Sequence, residues 1–115
     1  MDKRLEQALD FANYRATIAN QKTNLKNRIA TLKVCHHAGA QFTADKTNIA
    51  YIKTLIDLGY EEAVVEDDKN NPINIESLET LLDELTSANH AAMNEYLVEH
   101  KKINKARALK TMMDW

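Results

Sequence analysis

The apolar residues in the first and last thirds of the chain recur at spacings of three, four and seven positions, which places them on one side of an α-helix. Neither third contains a glycine or a proline, because Gly39, Gly59 and Pro72 all lie between them. The pattern therefore predicts two long helices, over about residues 3–37 and about residues 76–112. The core positions expected in the first helix are Phe11, Tyr14, Ile18, Leu25, Ile29 and Leu32. Those expected in the last helix are Leu78, Leu82, Leu85, Ala92, Tyr96, Ile103, Ala106 and Met113.

The centre of the chain predicts shorter elements. Isoleucine and leucine at helical spacing give an apolar face to a helix over about residues 44–58, with Thr43 as its N-cap and Gly59 at its end. Gly39 is expected to end the first helix in a left-handed cap. A valine pair, a turn rich in Asp and Asn, and an Ile-Asn-Ile segment predict a small β-hairpin over about residues 62–75.

These elements together predict one domain over residues 1–115, with a mostly helical α+β fold. Its parts are two long antiparallel helices, one short helix and the small hairpin. A chain of 115 residues is long enough to bury roughly two-thirds of its unfolded surface in a single core.

Charge is segregated along the chain and favours the antiparallel arrangement. Residues 11–44 contain five basic and no acidic residues, whereas residues 57–84 contain ten acidic residues and one basic residue. A second basic block begins at Lys101. Packing the long helices antiparallel sets the acidic start of the last helix beside the basic end of the first. Exposed ion pairs contribute only about 0–1 kcal/mol each, so they select direction and register rather than supply stability.

The side of the first helix opposite Ile18 and Leu25 is unusual because its residues are small and uncharged. Solvated helix faces usually carry Lys and Glu. Small residues let a second backbone come close, and Asn or Thr can form hydrogen bonds across the contact. One interpretation is a second packing face, and the other is a polar surface that faces solvent. The residues of this uncharged face are Asn13, Ala16, Thr17, Ala19, Asn20, Asn24, Asn27 and Thr31.

The basic residues allow an alternative function, the binding of nucleic acid. A local basic stripe can bind phosphates even though the whole chain has a formal charge of −2. No aromatic residue is expected within the stripe, and the acidic centre would compete with phosphate. Internal charge matching is the other interpretation of the same residues. The residues of this alternative are Arg15, Lys22, Lys26, Lys33, Lys101, Lys102, Lys105 and Arg107.

The sequence indicates no catalytic or metal-binding site. Cys35, His36 and His37 are adjacent, and consecutive helical residues point about 100° apart, so we do not expect them to share a metal ion. We expect the two histidines to cap the end of the helix instead. Residues 66–77 resemble a calcium loop but lack its terminal glutamate and contain Pro72. There is no nucleophile elbow or glycine-rich phosphate loop. We therefore expect no enzyme activity, catalytic residue, metal or cofactor.

Composition favours the cytoplasm. A single cysteine excludes an internal disulfide and fits a reducing compartment. The N-terminal residues contain no uninterrupted apolar run, so we expect no signal peptide. No segment approaches the roughly twenty apolar residues of a membrane span, and we expect no membrane partner.

Two helical segments and the hairpin carry a resemblance. They are FANYRATIANQKTNLKNRI over residues 11–29, NEYLVEHKKINKARALKTMMDW over residues 94–115, and VVEDDKNNPINI between them. The chain resembles small uncharacterised accessory and structural proteins of large tailed bacteriophages. This resemblance implies a virion component, an assembly factor or a factor that acts on host machinery, located in the host cytoplasm or the virion.

The sequence thus favours a non-enzymatic helical protein that binds other proteins, with a homo-oligomer as its expected form. The alternative is a nucleic-acid-binding accessory protein that uses the basic flank of the first helix and the basic C-terminal block.

Overall fold

The computed structural model describes residues 2–114, with side chains described as far as Arg107. Met113, one of the predicted core positions, therefore lies outside the described side chains. The elements are α1 (Lys3–Leu32), β1 (Val34–His37), β2 (Ala40–Thr43), α2 (Lys46–Asp57), β3 (Ala63–Glu66), β4 (Pro72–Ile75) and α3 (Leu78–Asp114). The mostly helical α+β class is confirmed, and the hairpin of β3 and β4 lies where it was predicted.

The first helix is shorter than predicted, because the chain forms an additional hairpin directly after it. α1 ends at Leu32, and β1 pairs with β2 in antiparallel register, with Cys35 opposite Phe42. The turn consists of Ala38 and Gly39, whose φ angles of 53° and 77° are both positive, as a type I′ turn requires. The prediction of a helix to residue 37 is wrong, and Gly39 is a turn residue rather than a helix cap.

The start of α2 also differs from the prediction. Thr43 is the last residue of β2, and Asp45 is the N-cap, where its carboxylate accepts a hydrogen bond of 2.7 Å from the backbone N–H of Asn48. An aspartate cap opposes the helix dipole as well as satisfying an otherwise free amide. The helix ends at Asp57, and Gly59 follows with a φ of 95°.

The chain divides into two compact units. We call residues 1–28 and 95–115 the helical unit and residues 29–94 the central unit. Each long helix contributes residues to both. The single-domain expectation stays a prediction, and the two units are described separately.

The central unit holds a continuous hydrophobic core. Alternation along β2 buries Ala40 and Phe42, and α3 contributes Leu81 as well as two predicted positions. Leu81 was missed because the predicted stripe passed through its neighbour Leu82, which is only half-buried. Full burial of one such side chain stabilises the fold by about 1.5–3 kcal/mol. The core cluster consists of Ala40, Phe42, Ala44, Ile52, Val65, Ile75, Leu78, Leu81 and Leu85.

The turn between β3 and β4 connects the two hairpins through Asp68. Its carboxylate accepts hydrogen bonds from the Thr43 amide (3.0 Å), the Thr43 hydroxyl (2.8 Å) and the Gln41 side chain (3.1 Å). Its own amide donates to the Gln41 carbonyl at 2.9 Å. The preceding Asp67 is buried and accepts from the amides of Lys69 and Asn71 inside the turn. These carboxylates therefore organise the backbone of the central unit.

In the helical unit, α1 and α3 are antiparallel, as predicted. The Tyr14 hydroxyl donates to the carbonyl of Ala106 at 3.5 Å, and Arg28 forms an ion pair with Glu95. The later residue of α1 thus contacts the earlier residue of α3, as antiparallel helices require. Ile18 is buried in this unit, as predicted.

Several predicted core positions of the long helices are not buried. Phe11 is 41% exposed and Leu32 is 45% exposed, and Ala106 is also exposed. Tyr14, Tyr96 and Ile103 are half-buried, whereas Leu25, Ile29, Leu78, Leu85 and Ala92 are buried. The apolar stripe continues past the residues that find a partner, because one helix-to-helix contact covers only a narrow part of each helix.

Candidate functional site

The uncharged face of α1 is exposed along its whole length. All eight of its predicted residues, from Asn13 to Thr31, are solvent-exposed in the protomer, and none belongs to the buried core. The face is thus open to a neighbouring molecule. Whether it binds one stays a prediction.

A regular seam runs along this side of α1 and extends the predicted surface toward the N-terminus. Leu5 and Leu9 are 52% and 46% exposed, and they begin a series with alternating steps of four and three residues. That alternation is the heptad spacing by which one helix packs against another. We call the series the heptad seam. Its residues, all exposed, are Leu5, Leu9, Ala12, Ala16, Ala19 and Thr23.

Leu5 and Leu9 were missed at the sequence level although their spacing was visible. They lie on the side of the helix opposite the predicted core stripe, and the predicted uncharged face begins at Asn13, after both leucines. A test for a second heptad register in α1 finds them, because leucine at both positions continues the alanine series.

Two members of the uncharged face have settings within the protomer that the structure describes. The Thr17 hydroxyl donates to the Asn13 carbonyl at 2.9 Å, so its proton is used within α1. Asn24 lines a groove of about 450 Å³ that also includes Arg28 and Lys102.

A second groove of the helical unit, of about 550 Å³, combines positive charge with aromatic rings. The guanidinium carbon of Arg15 lies 5.7 Å from the centroid of the Phe11 ring, a cation–π distance. The Tyr14 hydroxyl is directed to the α3 backbone, as described above. We call this feature the Phe11 groove. Its lining residues are Phe11, Tyr14, Arg15, Ile18, Ala19, Lys22 and Arg107.

The Phe11 groove brings together three of the eight residues predicted for nucleic-acid binding: Arg15, Lys22 and Arg107. Lys102 lines the other groove and forms an ion pair of 3.1 Å with Glu99. Lys33 belongs to the central unit and is half-buried. The remaining three, Lys26, Lys101 and Lys105, are exposed.

The expectation that the basic stripe lacks aromatic residues is wrong for its first part. Their helical spacing places Phe11 and Tyr14 in the core, but the structure leaves Phe11 partly exposed beside Arg15. Aromatic and basic side chains of α1 therefore share one groove.

The two units carry opposite net charge. The helical unit has eleven basic and six acidic residues, a formal charge of +5, whereas the central unit has four basic and eleven acidic residues, a formal charge of −7. The chain's total of −2 hides this division. A local positive field raises the concentration of anions near the helical unit and speeds their association.

Cys35, His36 and His37 lie in the strand β1. His37 Nδ1 is 2.8 Å from Glu84 Oε2, and the Cys35 thiol donates to the Glu84 carbonyl at 3.8 Å. Burial, with further contributions from Glu84 and Asp68, raises the pKa of the Cys35 thiol. The expected capping role at a helix end is wrong, because β1 and not α1 contains these residues. Over the described residues, no group of three or more His, Cys, Asp or Glu side chains is arranged to hold a metal ion.

Comparisons of this chain with known proteins found no match. No protein-family model matches the chain, no curated protein matches it, and no solved structure matches its fold. Among the described residues, no helix has the length and apolar character needed to cross a membrane. The resemblance to small phage proteins stays a prediction.

Proposed function

We propose that this chain is a non-enzymatic accessory or assembly protein that works by binding protein, and that it self-associates through the heptad seam of α1. The observation that carries the proposal is the exposure of a regular, uncharged helical seam along the helical unit. The resemblance to phage accessory proteins is compatible with such a role in the cytoplasm or in a virion.

The small core of the helical unit supports a requirement for a partner. Among its described side chains, the buried hydrophobic residues are Ile18 and Leu25, whereas Leu5, Leu9 and Leu97 are each about half exposed. Helical bundles usually surround their core with three or four helices, so that each helix is covered on more than one side. A second copy would supply the missing helices.

The chemistry of the seam suits close helix packing. Alanine at three successive seam positions lets two backbones approach, and burying these residues removes no charge from water. Two identical seams can pair about a two-fold axis, the commonest symmetry of soluble oligomers.

When two α1 helices pair antiparallel, large side chains of one heptad seam lie opposite small side chains of the other. The register that sets Ala12 against Ala16 of the second copy also sets Leu9 against Ala19 and Leu5 against Thr23, so large residues meet small ones. The same register sets Asp2 against Lys26, which favours this direction over a parallel one. We therefore propose an antiparallel dimer.

The test is the mass of the protein in solution, measured by light scattering or sedimentation over a range of concentrations. The wild type is expected at twice the protomer mass of 13.1 kDa. The variant Ala12→Glu/Ala16→Glu places four carboxylates in the seam of a dimer and is expected to raise the dissociation constant at least about tenfold, because like charges repel across an interface.

The matched control is Ser87→Glu/Ala91→Glu, which introduces the same charges at the same spacing on exposed positions of α3. It is expected to keep the mass of the wild type. Circular dichroism should show the same helix content for all three proteins. A wild-type chain that stays monomeric at high concentration, or a control that dissociates as much as the seam variant, would contradict the proposal.

A further inference from the structure

The Phe11 groove places an exposed aromatic ring and three cations around one cavity. Phe11 is 41% exposed, and Arg15, Lys22 and Arg107 all line the groove. Its volume of about 550 Å³ lies within the range of pockets that hold small ligands. The ligand that suits such a groove has negative charge and a flat apolar part.

Single-stranded nucleic acid has both properties. Proteins that bind it combine a positive groove along the backbone with aromatic side chains on which bases stack. A duplex hides the faces of its bases, so it cannot use the Phe11 ring in this way. An acidic protein segment would use the cations but has no flat ring to stack on Phe11.

The charge of the surrounding unit favours the same ligand. The helical unit carries a formal charge of +5, and exposed Lys26, Lys101 and Lys105 add to the positive field outside the groove. A phosphate chain would be attracted to this unit although the whole chain is weakly acidic.

We infer that the Phe11 groove binds a short segment of single-stranded nucleic acid, with a base stacked on Phe11 and phosphates held by Arg15, Lys22 and Arg107. This activity goes beyond the self-association proposed above, and the groove shares only Ala19 with the heptad seam.

Fluorescence anisotropy with a labelled twelve-nucleotide oligo(dT) tests the inference on the full chain. Saturable binding is expected at low salt. Three cations imply a slope of about −2 when the logarithm of the association constant is plotted against that of the salt concentration, at roughly 0.7 per neutralised phosphate. No binding at low salt would overturn the inference.

Two double variants separate the groove from the general field. Arg15→Gln/Lys22→Gln removes two groove cations, and Lys101→Gln/Lys105→Gln removes two exposed cations of the same unit, so the net charge changes equally. The groove pair is expected to weaken binding at least about tenfold, and the control pair much less. Equal losses would mean that only the overall field attracts the nucleic acid, and would overturn the groove assignment.

Phe11→Leu tests the ring, because it keeps an apolar side chain and removes the stacking surface. It is expected to weaken oligo(dT) binding about tenfold, within the range measured for loss of one stacked base. Binding of a labelled poly-glutamate of equal charge should not change. If Phe11→Leu leaves oligo(dT) binding intact, or poly-glutamate binds the wild type as tightly, the partner is an acidic protein and the inference fails. Light scattering on each variant shows whether self-association has changed, so failure of this inference and of the proposed function are distinguishable.

Discussion

The central unit and the helical unit differ in the size of the hydrophobic core that each one buries. In the central unit, α2, α3 and both hairpins enclose a cluster of nine buried residues, several of them fully inaccessible to solvent. In the helical unit, the described buried residues are Ile18 and Leu25, and leucines remain exposed at positions 5, 9 and 97. The central unit also exposes large apolar side chains, among them Leu58 and Val64, so the two units differ in the size of their buried core rather than in the presence of exposed apolar residues.

The polar residues of the two units also have different surroundings. Acidic side chains of the central unit, notably Asp67 and Asp68, accept several hydrogen bonds from the backbone and fix the second hairpin. In the helical unit, Arg15 and Lys22 line an open groove instead. Asp67 and Asp68 thus organise the backbone of the central unit, whereas the described grooves lined by cations lie in the helical unit.

Truncating one leucine in each unit is the strongest test of this comparison. Leu81→Ala, at a fully buried position, is expected to lower the free energy of unfolding by about 2–5 kcal/mol, because it leaves a cavity in the core. Leu9→Ala, at a position 46% exposed, is expected to cost less than about 1 kcal/mol at concentrations where the protein is monomeric. Urea unfolding followed by circular dichroism gives both values.

Repeating the unfolding experiment at several protein concentrations tests whether Leu9 contributes to a dimer. The effect of Leu9→Ala should appear as a weaker dimer, and the unfolding midpoint of the wild type should rise with protein concentration. Equal destabilisation by the two variants at low concentration would mean that Leu9 is part of an internal core and that the two units do not differ.

Much of the fold was predictable from the sequence because local signals agreed with the final structure. Antiparallel long helices and the hairpin of β3 and β4 follow from helical spacing, charge order and an Asp/Asn-rich turn. The hairpin of β1 and β2 was not predictable in this way. The segment from Val34 to His37 has no residue that ends a helix. It is a strand because it pairs with β2, whose Phe42 belongs to the same core cluster as distant residues of α3.

The candidate surfaces were predictable only in part. The uncharged face was visible from residue types at helical spacing, because a face without charge needs no tertiary information to recognise. The Phe11 groove was not, since Phe11 fits an apolar stripe in sequence and only the structure shows its exposure and its position beside Arg15 and Arg107.

Removal of the Asp68 carboxylate tests whether the acidic turn of the central unit is structural. Asp68→Ala deletes the acceptor of three side-chain hydrogen bonds and is expected to cost about 1–2 kcal/mol, since the site is exposed and water replaces part of the loss. Asp68→Asn keeps one oxygen and should cost less. A calcium titration offers a second readout. Tighter folding of the wild type with calcium would mean that the turn is a ligand site instead.

The turn of the first hairpin gives a smaller effect of opposite sign. Ala38 has a φ of 53°, a conformation that alanine adopts at a cost and asparagine tolerates better. Ala38→Asn is therefore expected to raise the free energy of unfolding by about 0.5–1 kcal/mol. Gly39→Ala should lower it by about 1 kcal/mol through backbone strain alone, because a Cβ at that position meets no atom within 4 Å. Identical stabilities for the three proteins would argue against the type I′ turn.

The smallest expected effect concerns the Cys35 thiol. Burial raises its pKa, and Glu84 and Asp68 raise it further, so less reactive thiolate is present at pH 8 than in an unfolded chain. We expect a disulfide reagent to react several-fold more slowly with the folded protein than with the protein in urea, whereas Cys35→Ser should not react. As pH rises above the unfolded thiol's pKa of about 8.5, the unfolded state loses its proton first and stability falls until the folded pKa is reached. Equal reaction rates in the two states would show that the β1–β2 hairpin leaves the thiol open to solvent, which would remove the contrast in burial between this hairpin and the helical unit.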